Sequence, residues 1–128
     1  MPAASDDEIR QFFERYFTTW NSHDKDGFLD AWHAVASDVC AEDPEGRLLR
    51  SGWEECVTAP WDLMNASVKM TPEAVLVRAH EAAIVIHVEV TIDEHAVVSR
   101  STETFRFHED GRVVIRTSWE SPREQSDD

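Results

Sequence analysis

Glycine and cysteine are scarce: the 128 residues hold four Gly and two Cys. Four glycines make no Gly-rich loop of the kind that cradles phosphate, and no Gly-x-Ser-x-Gly elbow occurs. Cys40 and Cys56 stand too far apart for a paired-cysteine metal site. The six histidines form neither His-x-His nor His-Glu-x-x-His. No metal and no cofactor is therefore expected. Positive charge is also short, with 12 Lys and Arg against 26 Asp and Glu, a formal net charge of −14. Such a surface repels phosphate backbones and anionic lipid, so neither nucleic acid nor a membrane is an expected partner. Solubility is the plain reading of the charge. No apolar run approaches the roughly 18 residues needed to span a bilayer. Met1 to Asp7 shows neither a basic start nor an apolar segment, so a signal peptide is not expected and a cytoplasmic location is. Thiols in that setting are expected to stay reduced.

What is present suits one domain with one core. Hydrophobic residues make up 41% of the chain, and five Trp and six Phe supply large apolar area that can fill a core or line a cavity. The domain is read over residues 1–120, with 121–128 as a polar, acidic, frayed tail.

Ser5 to Asn21 reads as an amphipathic helix. Ser5 and Glu8 have capping-box spacing, and Ile9, Phe12, Phe13, Tyr16, Phe17 and Trp20 recur on one face. A shorter helix follows with Phe28, Leu29, Trp32 and Val35 on its apolar side. A third is expected over Gly52 to Met64, kinked or shortened by Pro60. From Ser67 the period becomes two. Ile84, Ile86, Val88, Val90 and Ile92 share one strand face, and Val97–Phe107 and Arg112–Trp119 form a hairpin around Glu109-Asp110-Gly111. The pattern predicts an α+β fold with three helices on one face of a curved antiparallel sheet.

Three side chains are candidates for chemistry. Counting by twos, Glu103 shares a face with Phe105 and Phe107. If that face is the inner one, burial raises its pKa; otherwise it is a strand glutamate reaching solvent. Asp43, in Glu42-Asp43-Pro44-Glu45-Gly46, is either functional or ordinary turn chemistry. Tyr16 lies in the apolar stripe, and its hydroxyl needs a partner from the core or from a ligand. Phe12, Trp20, Trp61 and Phe105 are the aromatic candidates for a pocket wall.

The chain resembles the bacterial ketosteroid isomerases, within the wider nuclear-transport-factor-2-like and SnoaL-like superfamily. The resemblance rests on Arg15-Tyr16 with Asn21 and Asp24, Glu42-Asp43-Pro44-Glu45-Gly46 with Arg50-Ser51-Gly52, and Glu81-Ala82-Ala83. It continues through Glu103-Thr104-Phe105-Arg106-Phe107, Gly111-Arg112-Val113 and Trp119, from about residue 8 to 120. It implies a cone-shaped, antiparallel or mixed sheet against three N-terminal helices, of the cystatin-like α+β barrel type. It also implies Asp43 as general base, Tyr16 as oxyanion-hole phenol, Glu103 as a protonated acid and second donor, and Trp119 at the pocket wall. Glu103 departs from the family's usual aspartate by one methylene. Pro60 falls where some members place a supporting tyrosine.

The resulting expectation is an acid–base isomerase acting on a small hydrophobic ketone. A polyketide or polyether cyclase, or an epoxide hydrolase, is a second reading. A non-catalytic small-molecule-binding module is a third. A homodimer is expected, joined through an apolar outer sheet face assigned to Ile84, Ile86, Val88 and Val90.

Overall fold

The structure is a computed structural model describing residues 3–121 and 123–124. Helix α1 (Asp6–Asn21) begins at the expected capping box. The Glu8 N–H donates to Ser5 Oγ at 3.1 Å and the Ser5 N–H to Glu8 Oε1 at 3.0 Å. Two otherwise open helix-start donors are thereby satisfied. The stripe of Ile9, Phe12, Phe13, Phe17 and Trp20 is buried. Helix α2 (Lys25–Val35) starts on Asp24, whose carboxylate accepts from the Gly27 N–H at 3.0 Å, and buries Phe28, Ala31, Trp32 and Val35.

The expected third helix is two pieces. A π-helical turn over Glu54–Thr58 runs into α3 (Ala59–Met64). The interruption falls at Pro60, in the first turn of α3, where the chain lacks a helical N–H donor, so the run is shortened there as expected.

The strands are β1 (Asp38–Glu42), β2 (Leu48–Ser51), β3 (Val68–Arg78), β4 (Glu81–Ile92), β5 (His95–Phe107) and β6 (Arg112–Trp119), in the sheet order β2-β1-β6-β5-β4-β3. Neighbours are antiparallel except β1 and β6, which run parallel. The sheet is therefore mixed. It is also open, with β2 and β3 as its edges, and does not close into a barrel. A short β7 (Arg123–Glu124) pairs with Val97 and Val98. Of the expected tail, 121–128, residues 122 and 125–128 lie outside the described residues.

Phe105 on β5 meets Phe13 of α1 with ring centroids 4.9 Å apart, which identifies the face that the helices cover. Ile84, Ile86 and Val88 lie on that inner face and are buried in the core. The expectation that they form an outer, dimer-forming face is corrected: the aromatic stripes of α1 and α2 need an apolar sheet face, and this is it. The opposite, outer face mixes polar and apolar side chains. Ala83, Thr104 and Val114 floor a groove of about 920 Å³ there, walled by Arg78, Arg106, Arg112 and Arg116.

The β5–β6 turn anchors the start of β1. Gly111 adopts φ +88°, the Ser37 N–H donates to the Gly111 carbonyl at 2.8 Å, and Ser37 Oγ donates to the Asp110 carbonyl at 3.1 Å. This contact helps set the parallel β1–β6 register, which pairs Val39 with Val113 and Glu42 with Arg116. Among the described residues no helix is long and apolar enough to cross a membrane.

Candidate active site

The alternation of β5 turns Ser101, Glu103, Phe105 and Phe107 toward the helices, and Arg100, Thr102, Thr104 and Arg106 away from them. Glu103 lies between Ile84 of β4 and Thr117 of β6. Protein surrounds it, yet its side chain is not wholly shut off from solvent. Its carboxyl makes no hydrogen bond among the described residues. Burial raises its pKa from 4.5 to about 7, because a charge in low dielectric lacks the solvation that water supplies.

Tyr16 of α1 lies close enough to feel the charge of Glu103. Phe28, Phe12, Trp32 and Phe105 surround its ring at centroid separations of 4.9, 5.6, 6.2 and 6.4 Å. Its hydroxyl also has no partner among the described residues. Burial first, and the negative charge of Glu103 second, push its pKa well above the ordinary 10. The structure thus brings together a neutral phenol and a carboxyl that is uncharged below about pH 7. Both are enclosed, and neither is committed to another protein group.

Asp43 is not in contact with them. It begins the turn between β1 and β2, and its Oδ1 accepts from the N–H groups of Glu45 and Arg47, each at 2.9 Å. Its Oδ2 pairs with Arg47 Nε at 2.6 Å. The Arg47 backbone bond foremost, with the Arg47 side chain and the Glu45 N–H, lowers its pKa and keeps it ionised. It directly follows Glu42, the last residue of β1, which stands beside Arg116 of β6.

The expected wall residues divide. Phe12 and Phe105 touch the Tyr16 ring. Trp20 and Trp61 are buried one layer away, packed on each other at 5.2 Å and on Phe28. The Trp20 indole N–H donates to the Val68 carbonyl at 2.9 Å, a structural bond. Trp119 shares the inner face by register with Ser101 but is 68% exposed, so it does not enclose the site. Sequence reasoning missed Phe28 and Trp32 as neighbours of Tyr16, although both stand in the apolar stripe of α2. The period-two count that puts Glu103 on the inner face puts Ser101 there too, and Ser101 is buried. Among the described residues no three His, Cys, Asp or Glu side chains gather to hold a metal ion.

A family model described as the SnoaL-like domain matches residues 13–115. Solved structures share the architecture. AclR from Streptomyces galilaeus, described as a candidate hydroxylase, superposes with TM-score 0.67 at 18% identity over 91% of each chain. A candidate SnoaL-like polyketide cyclase from Jannaschia sp. CCS1 gives 0.67 at 15% identity, covering 88% of this chain and 85% of that one. A candidate ketosteroid isomerase from Kribbella flavida DSM 17836 gives 0.58 at 19% identity, covering 95% and 84%. At such identities the likeness is one of fold. No curated protein sequence matches the chain.

Proposed function

The chain belongs to the SnoaL-like domain family, and from that premise we propose that it is a cofactor-independent acid–base enzyme acting on a flat, uncharged, hydrophobic ketone. The observation that carries this reading is the enclosed, unpartnered pair of Tyr16 and Glu103. Both are neutral donors at or below about pH 7. An apolar enclosure that holds two free donors favours a ligand oxygen on which negative charge develops.

In the isomerase form, the Asp43 carboxylate takes a proton from the carbon next to the carbonyl. The electron pair moves onto oxygen, and Tyr16 and Glu103 hydrogen-bond the resulting enolate. Asp43 returns the proton to a different carbon, which shifts the double bond. Asp43 must turn from Arg47 toward the ligand for this step. The direct test is the shift of an unconjugated enone, such as a Δ5-3-ketosteroid, into conjugation, followed by ultraviolet absorbance. Tyr16→Phe and Glu103→Gln are each expected to lower kcat by about 10²- to 10³-fold. Asp43→Asn is expected to lower it by about 10²- to 10⁴-fold. No turnover of any enone by the unaltered protein would end the isomerase version.

A second reading follows from the occupied oxygens of Asp43. A carboxylate bound by three donors is a weak base, whereas Glu103 at about pKa 7 is matched to proton transfer near neutrality. Glu103 would then act as the base or acid of a cyclisation or epoxide opening. A purely ligand-binding module would hold a phenol in the same pocket yet leave the α-protons of a bound ketone unexchanged in D₂O.

A homodimer remains part of the reading, although the residues first assigned to its surface are buried in the core. A monomer in sedimentation at micromolar concentration would remove it.

A further inference from the structure

The outer face of the sheet gathers the positive charge that the rest of the chain lacks. Lys and Arg number 12 against 26 Asp and Glu, yet five arginines line the groove over Ala83, Thr104 and Val114, against two glutamates, Glu42 and Glu81. The strand register explains how they meet. Arg106 of β5 stands opposite Val114 of β6, and Thr104 stands opposite Arg116. Arg112, Val114 and Arg116 alternate onto the same face, so Arg112 and Arg116 take the two diagonals from Arg106. Diagonal neighbours lie about 7–8 Å apart between Cα atoms, within the reach of arginine side chains.

These guanidinium groups are under-used. Arg106 has one ion pair, to Glu81 at 3.5 Å, and its side chain is 67% exposed. Arg116 Nε donates to Glu42 Oε1 at 2.8 Å, and its Nη groups meet no acceptor among the described residues. The side chains of Arg78 and Arg112 make neither a hydrogen bond nor an ion pair among the described residues. Like charges held this close repel, so an anion that joined them would be bound favourably.

The surroundings select the kind of anion. Guanidinium forks match the oxygens of a phosphate. From Arg116 the register runs through Thr104 and Ala83 to Leu76 on β3, three strand spacings or about 14 Å. Thr104 and Ala83 are small, and Leu76 is 68% exposed, so this track offers apolar contact beside the charges. The net charge of −14 repels an extended polyanion or an anionic bilayer, but a small anion can enter a local cationic groove. A second copy is a poor occupant, because a two-fold contact would set the arginines against themselves.

We propose that this groove is a second ligand site, and that it takes a small phosphate monoester with an apolar body. The phosphate lies among Arg106, Arg112 and Arg116. The apolar body lies over Thr104 and Ala83 toward Leu76. This inference is independent of the reading of Tyr16 and Glu103, since Glu103 belongs to the opposite face of the sheet.

The test titrates the full chain with 2-naphthyl phosphate and with inorganic phosphate at pH 8, where both are largely dianionic. The naphthyl ester is expected to bind about tenfold tighter than inorganic phosphate. Arg106→Gln and Arg112→Gln should each weaken the ester about tenfold. Lys25→Gln removes the same charge from α2 and should weaken it by about twofold at most. Leu76→Ser should bring the ester toward the affinity of inorganic phosphate and leave the latter unchanged. Equal losses in Arg106→Gln, Arg112→Gln and Lys25→Gln would reduce the effect to general charge attraction and overturn the proposal. So would an ester affinity that Tyr16→Phe lowers as much as Arg106→Gln does, which would move the ligand to the helix side of the sheet. An affinity that falls as the protein is concentrated, with a dimer in sedimentation, would give the groove to a second copy and overturn it as well. Absence of ester binding overturns it outright and leaves the enone test of the first site to be judged alone.

Discussion

The phenol of Tyr16 and the carboxyl of Glu103 share one enclosed space, close enough that charge on Glu103 raises the phenol's pKa, with no hydrogen bond joining them. Two polar groups left without a protein partner are free to meet a ligand oxygen. The arrangement also makes the ionisation of Glu103 a measurable property of the fold.

Glu103 has a pKa near 7 in the folded protein against an ordinary 4.5, so the folded state holds its proton more tightly than the unfolded state does. Stability from this group is full below about pH 4.5 and declines as pH rises toward 7, where the carboxyl must ionise in place. The whole effect is on the order of 3 kcal/mol, at roughly 1.4 kcal/mol per pKa unit. Glu103→Gln removes the titration. Its stability relative to the unaltered protein should therefore rise between pH 5 and pH 8, read as the difference in urea midpoint. A constant difference across that range would show that Glu103 is solvated.

The same ionisation separates the two catalytic readings by sign. If neutral Glu103 is a hydrogen-bond donor to the oxyanion, kcat falls as pH passes upward through about 7. If ionised Glu103 is the base, kcat rises through the same value. In both cases Glu103→Gln abolishes that limb of the profile. A profile flat from pH 5 to 9 would exclude Glu103 from proton transfer and from oxyanion binding alike.

Much of this site was legible in residue order, and what was not has identifiable causes. Alternation along β5 put Glu103 on the face of Phe105 and Phe107 because a thirteen-residue strand gives a clear period of two. The Ser5–Glu8 box marked the start of α1 because capping is a local interaction. Strands β1 and β2, of five and four residues, are too short to show a period, and the parallel partner of β1 is some seventy residues away. The side of the sheet taken by Ile84 and Ile86 depends on which face the helices cover, and alternation alone does not decide it. The direction of the Asp43 carboxylate depends on Arg47, whose long side chain carries no positional signal. Pro60 reads as a breaker in any helical run, and the change from π-helical turn to α-helix does fall beside it, but the π geometry carries no local sequence signal.

Gly111 joins the β5–β6 turn to β1, and its replacement should be felt across the parallel pair. At φ +88° an L residue is strained, and a Cβ there would collide with Ser37 Oγ and lie 3.0 Å from Ser37 Cβ. Gly111→Ala is expected to destabilise by about 1–3 kcal/mol, measured by urea unfolding. Combining it with Ser37→Ala removes the hydroxyl from the collision, so the double variant should lose less than the sum of the two single losses. Strict additivity would mean that the turn moves away from Ser37 freely, and that this contact does not set the β1 register.

Arg47 offers the sharpest test of whether Asp43 is the base. Its backbone N–H and its guanidinium both bind the Asp43 carboxylate, and both hold the Asp43 pKa below its ordinary value. Arg47→Gln removes the guanidinium and keeps the N–H, so Asp43 should remain in the turn with a higher pKa and a carboxylate freer to rotate. If Asp43 abstracts the proton, the acid limb of the kcat profile shifts to higher pH, and the limb near 7 assigned to Glu103 stays in place. Because a stronger base abstracts faster, the plateau should also rise, by a few-fold at most. Arg47 is 74% exposed along its side chain, so little stability is at stake, and a change in rate is not a by-product of unfolding. An acid limb that does not move on Arg47→Gln would dismiss Asp43 from the reaction and leave Glu103 as the one carboxyl at the reacting bond.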